Sequence, residues 1–182
     1  GVVSPSTRWF LAEGYTGGDF DTWVLVQNPG DETAHVTFDF QLPPGSSAPS
    51  FEFDLPGRTR QSFHLDIFDG LSDTDVSTTV TSDLPVVAER AMYFNYHGKT
   101  DGHDSAGVDF PSDTWYLAEG YTGGDFDTWV LVQNPGREAK HVVFEFQLPP
   151  GSSAPSFEFD LPGGTRRSFR LDDFEGLSNT DV

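Results

Sequence analysis

The chain has 182 residues and 20.0 kDa, room for one large domain or two of about a hundred residues each. Its 10 Lys and Arg against 29 Asp and Glu give a formal charge of −19, which disfavours nucleic acid and anionic membranes as partners. It has no cysteine and no run near the ~20 apolar residues of a membrane span, so thiol chemistry, Cys-based metal sites and helical membrane insertion are excluded.

In chain order, turn signals separate seven predicted strands. They are 8–13, 22–27 (ending at Asn28-Pro29-Gly30), 35–42 (ending at Pro43-Pro44-Gly45), 50–55 (ending at Pro56-Gly57), 60–66, 76–82 and 86–95. Asp83-Leu84-Pro85 is read as the turn between the last two, and one helical turn is expected within 65–71. The segment then repeats. Trp9–Gly30 returns as Trp115–Gly136 with a single change, Phe10 to Tyr116, and 56 of 68 positions are identical between 9–76 and 115–182.

The two copies test the pattern against each other. Val36, Phe38, Phe40 and Leu42 alternate with polar residues and recur as Val142, Phe144, Phe146 and Leu148. The intervening Thr37 and Asp39 become Val143 and Glu145, and outward His64 becomes Arg170. Alternation with one constant face, 17 Phe and no helical period predict an all-β fold of tandem immunoglobulin-like antiparallel β-sandwich repeats. Residues 1–112 are read as the first repeat with its leading linker. Residues 113–182 are read as a second repeat, truncated after about five strands and completed either in cis or by strands from another molecule.

The strings Trp9-Phe-Leu-Ala-Glu-Gly-Tyr-Thr-Gly17, Leu25-Val-Gln-Asn-Pro-Gly30, Glu89-Arg-Ala-Met-Tyr-Phe94 and Gly102-His-Asp-Ser105 resemble a tandem repeat of bacterial extracellular and surface proteins. That resemblance implies an extracellular or cell-surface setting and no assigned catalytic activity.

Candidate sites are few. Glu13, Asp19 and Asp21, with Glu119, Asp125 and Asp127 in the second copy, lie in glycine-rich loops and form a candidate calcium ligand set. Tight loops select the same residues for their turns alone. Trp9, Tyr15, Phe20 and Trp23 are a candidate stacking platform for sugar rings, or simply core. His97, Asp101, His103, Asp104 and Ser105 lie close in sequence, but contiguity is no sign of a catalytic triad. No catalytic residue is assigned, no cofactor beyond calcium is expected, and the chain is read as a non-enzyme. Its expected role is structural, in a stalk, surface layer or filament, with copies of itself or neighbouring repeats as partners. A module binding cell-wall glycan or polysaccharide is the competing reading.

Overall fold

The computed structural model describes residues 1–182 as two compact units, Gly1–Pro111 and Ser112–Val182. All regular structure is β apart from two short 3-10 turns, and every strand pair is antiparallel.

The first unit holds β1 (Ser6–Leu11), β2 (Phe20–Asn28), β3 (Ala34–Gln41), β4 (Phe51–Leu55), β5 (Thr59–His64), β6 (Ser77–Tyr96) and β7 (Lys99–Ala106). They form one seven-stranded sheet ordered β4-β3-β6-β2-β5, with β1 and β7 also paired to β6. The sheet curls because β6 changes neighbours along its length. Its first half lies between β3 and β1, with Phe38 opposite Val80 and Trp9 also opposite Val80. Its second half lies between β2 and β7, with Val24 and Ser105 both opposite Arg90.

The expected turn at Asp83-Leu84-Pro85 is therefore part of a continuous strand. Pro85, which has no N–H to donate, falls between the last β3 pair at Ser82 and the first β2 pair at Val87. The missing donor thus costs the ladder nothing. β7 was not predicted as a strand.

Inside the curl, Phe38 meets Phe53 at 5.2 Å and Phe63 at 5.1 Å between ring centroids, and Phe53 meets Phe63 at 4.3 Å. These contacts join β3, β4 and β5 around one core that also buries Trp9, Leu11, Val24, Val36 and Val80. Trp9 also donates its indole N–H to the Val86 carbonyl at 2.8 Å.

The second unit holds β8 (Trp129–Asn134), β9 (Lys140–Phe144), β10 (Phe157–Leu161) and β11 (Thr165–Arg170), paired as β9-β10 and β8-β11. Its core gathers Phe159, Leu161 and Phe169, with Phe144, Phe157 and Phe174 partly buried against them. Residues 112–182 contain no counterpart of β6 or β7, and residues 112–117, the equivalent of β1, form no strand. Trp115, Tyr116 and Leu117 stand exposed where Trp9, Phe10 and Leu11 are buried. The same sequence is a strand in one unit and not in the other because β1 pairs with β6.

Candidate functional site

The repeated loop motif holds the fold through its own residues. Thr16 is buried, and its hydroxyl accepts the Thr74 amide at 3.0 Å while its backbone N–H donates to the Thr74 carbonyl. Thr122 makes the same two bonds to Thr180. A Cβ on Gly14 would stand 2.7 Å from the Val76 carbonyl oxygen, so the chain can pass there only as glycine. Asn28 is buried and donates its side-chain amide to the carbonyls of Glu32 at 2.8 Å and Leu55 at 3.0 Å. Asn134 repeats this with Glu138 and Leu161 at the same distances. The Asn-Pro-Gly string thus anchors a turn to the β4 or β10 end.

The carboxylates of the candidate calcium loop are divided between two places. Glu13 pairs with the Arg90 guanidinium, while Asp21 faces His64. Asp19 is exposed beside them in sequence. In the second unit Asp127 pairs with Arg170, and Glu119 and Asp125 are exposed.

Arg90 is 4 % exposed and is the centre of a polar cluster between β6 and β7. Besides Glu13, it donates to His103 Nδ1 at 3.0 Å and to Ser105 Oγ at 3.2 Å. Accepting at Nδ1 puts the His103 proton on Nε2, which faces Glu13 Oε1 at 3.5 Å. Burial pushes the Arg90 guanidinium below its ordinary range, against the opposing pull of Glu13 and Asp104. Its Nε is buried with no partner. His97 instead sits in the turn after β6, packed edge-on against Tyr96 at 4.2 Å.

A second cluster joins β2 and β5. His64 Nε2 stands 3.1 Å from Asp21 Oδ1 and 3.0 Å from Asp66 Oδ2. Trp23, opposite His64 in the ladder, stacks on the imidazole at 4.5 Å and 10°. The Thr22 N–H donates to Asp66 Oδ2 at 3.2 Å. Burial raises the Asp66 carboxyl above the usual range, opposed by that N–H and by His64. Sequence analysis names His64 only as an outward strand residue and does not place Asp66 with Asp21. The signal was present in the exchange of His64 for Arg170 with Asp21 and Asp66 retained as Asp127 and Asp172.

The aromatic candidates also separate. Trp9 lies in the core at 2 % exposure, and Trp23 covers His64. Tyr15 and Phe20 meet edge to face at 5.3 Å, and Phe20 continues to Phe94 at 5.5 Å and Tyr96 at 5.8 Å. Phe94 and Tyr93 line a shallow open groove with Asp19, Asp21 and Asp101. Tyr121 and Phe126 repeat the first contact at 5.7 Å.

No protein-family model matches the chain, and no curated protein matches it. Among solved structures, it is similar to the crystal structure of Thermotoga maritima 1070, with 20 % identity and a TM-score of 0.52 over 57 % of this chain and 94 % of that one. It is also similar to the Anabaena sensory rhodopsin transducer, with 23 % identity and a TM-score of 0.41 over 48 % of this chain and 97 % of that one. At such identities the first likeness speaks to the fold alone.

Proposed function

We propose that this chain is a structural segment of a bacterial extracellular array, in which immunoglobulin-like sandwich repeats serve as the bricks of a stalk, surface layer or filament. The observation that carries this reading is how the repeated motif is spent. Thr16 and Thr122, and Asn28 and Asn134, are buried and bonded to backbone groups in both copies, so the repeated residues preserve a shape. Like charge on neighbouring repeats opposes edge-to-edge mispairing between near-identical copies.

The exposed row Trp115, Tyr116 and Leu117 supports completion of the second unit by a strand of the β6 pattern, from further chain or from a neighbouring molecule. A peptide spanning 77–106, added to the full chain, is expected to protect amides within 112–117 from exchange and shift Trp115 fluorescence to the blue. Force spectroscopy on a chain of several repeats tests the mechanical role: equal, cooperative unfolding steps support it, and a featureless extension overturns it.

The aromatic run from exposed Tyr15 through half-buried Phe20 to exposed Tyr96, beside Asp19 and Asp101, favours a second reading as a glycan-binding module. A glycan array probed with the wild-type chain and a Phe20→Ala variant separates the two. Binding lost on substitution supports the module, and absence of any bound glycan leaves the scaffold.

A further inference from the structure

We propose that Asp21, His64 and Asp66 form a binding site for a divalent transition-metal ion of the zinc, cobalt and nickel class. One ligand atom from each residue lies within 4.8 Å of the other two. A tetrahedral ion with bonds of ~2.0–2.1 Å holds its ligand atoms ~3.3–3.4 Å apart. The His64 nitrogen already stands 3.1 Å and 3.0 Å from the two carboxylate oxygens, so these two edges need an opening of only a few tenths of an ångström, and the third edge, between the carboxylates, lies within 4.8 Å.

The surroundings orient the ligands. Trp23 fixes the plane of the imidazole, and the Thr22 amide holds the Asp66 carboxylate. Side-chain exposures of 59 % for Asp21, 25 % for His64 and 20 % for Asp66 leave a path from solvent and room for water on the ion.

The second copy supplies an independent observation that this position takes a cation. Both carboxylates remain, as Asp127 and Asp172, and the residue between them is Arg170. Its guanidinium Nε donates to Asp127 Oδ1 at 2.9 Å and lies 3.9 Å from Asp172 Oδ2. Asp173 adds a third carboxylate at 3.5 Å, where the first copy has exposed Ile67. One repeat thus carries its cation on the chain, and the other presents a neutral-capable nitrogen ligand to the same pair of acids.

The donor set decides the class of ion. An imidazole with two carboxylates suits zinc and its neighbours, whereas calcium asks for about six to eight oxygens. Of the Glu13, Asp19 and Asp21 loop the site takes Asp21 alone, since Glu13 is engaged by Arg90.

The test is a zinc titration of the chelator-treated 182-residue chain by calorimetry, with His64 followed by imidazole nitrogen NMR. One saturable equivalent of zinc is expected, with the His64 Nε2 resonance shifting on binding. The His64→Arg variant, which writes the second repeat into the first, is expected to lose affinity tenfold or more, as is Asp66→Asn. His64→Gln serves if the arginine variant does not fold, with circular dichroism as the control. Nickel is expected to quench the fluorescence of Trp23, and His35→Gln with His141→Gln to leave binding intact. No saturable zinc, an unmoved His64 resonance, unchanged affinity in the folded His64 variant, or displacement of zinc by equimolar calcium overturns the proposal.

Discussion

Arg58 Nε stands 2.5 Å from Asp31 Oδ1, and the two residues leave the sequence together: the second repeat has Gly164 and Arg137 in their places. Arg58 occupies the left-handed region at φ 59°, as does Gly164 at φ 69°. Both partners of the ion pair are well exposed, so the pair contributes at most about 1 kcal/mol. The backbone conformation costs an L-residue about 1–2 kcal/mol. Arg58→Gly removes both terms and is expected to change stability by no more than about 1 kcal/mol. Arg58→Ala loses the pair yet keeps the strain, and should fall about 1 kcal/mol below the glycine variant in urea unfolding. Equal midpoints for the two variants would show that φ does not govern this turn.

Glu13 and Glu119 are the same motif residue with different surroundings. Glu13 neutralises buried Arg90, while Glu119 is exposed and residues 112–182 include no equivalent of Arg90. Glu13→Ala leaves a guanidinium uncompensated in the protein and is expected to cost about 3–5 kcal/mol. Glu119→Ala should stay within about 0.5 kcal/mol of wild type. Combining Glu13→Ala with Arg90→Met should recover much of the loss, because no buried charge then remains. Chemical unfolding of the four proteins measures this, and equal effects of the two glutamate variants would count against the cluster.

Cross-strand histidines give the fold a pH dependence. His35 Nδ1 is 3.0 Å from Asp54 Oδ1, and His141 Nδ1 is 2.9 Å from Asp160 Oδ1. The hydrogen bond to Asp54 raises the His35 value above 6.5, helped by the charges of Asp54, Glu52 and Asp83. The bonds to Asp160 and then Glu158 do the same for His141. A folded value above the unfolded one means the contribution is fully present below 6.5 and is lost as pH rises through the raised value. The urea midpoint is therefore expected to fall as pH rises above about 6.5, less so in high salt. That part of the fall should vanish in a His35→Gln, His141→Gln double variant. Superimposable profiles for the two proteins would remove these pairs as its source.

What could be read from the sequence was what packing writes into it. Val36 and Phe38 alternate with polar residues because one face of β3 meets the core, and the two copies agree on that face. β7 carries no such mark. Lys99–Ala106 carries no apolar residue but Ala106 and is almost entirely exposed, so its strand character comes from pairing with β6, which alternation cannot signal. Pro85 suggested a turn because its missing donor usually interrupts a ladder, and here it falls where the ladder changes partners. Ala34 becomes Lys140 in the second copy although Ala34 is fully buried, so variation between the copies does not by itself mark an outward position. The acids and glycines of residues 13–21 fit a calcium loop by type, but their side chains point to different partners. Asp21 was read only with the calcium loop, and its meeting with His64 and Asp66 was missed because it arises through the β2–β5 register and the turn after β5.

Trp9 and Trp115 offer the sharpest internal comparison. Trp9 is 2 % exposed and bonded to Val86, whereas Trp115 is 53 % exposed and donates its indole N–H only locally, to the Ser112 carbonyl at 3.1 Å. Removing the first indole opens a cavity beside Val80 and Val86 and is expected to destabilise the first unit by about 3–5 kcal/mol. Trp115→Ala should change the stability of the second unit by about 0.5 kcal/mol or less, since it buries little. Hydrogen exchange resolved by segment reads each unit separately, which a single unfolding curve cannot. With the 77–106 peptide present, the Trp115→Ala variant should lose the protection that the wild-type second unit gains, because the indole would then occupy the place Trp9 holds against β6. Equal protection in the two proteins would mean that the 112–117 segment is not what receives the added strand.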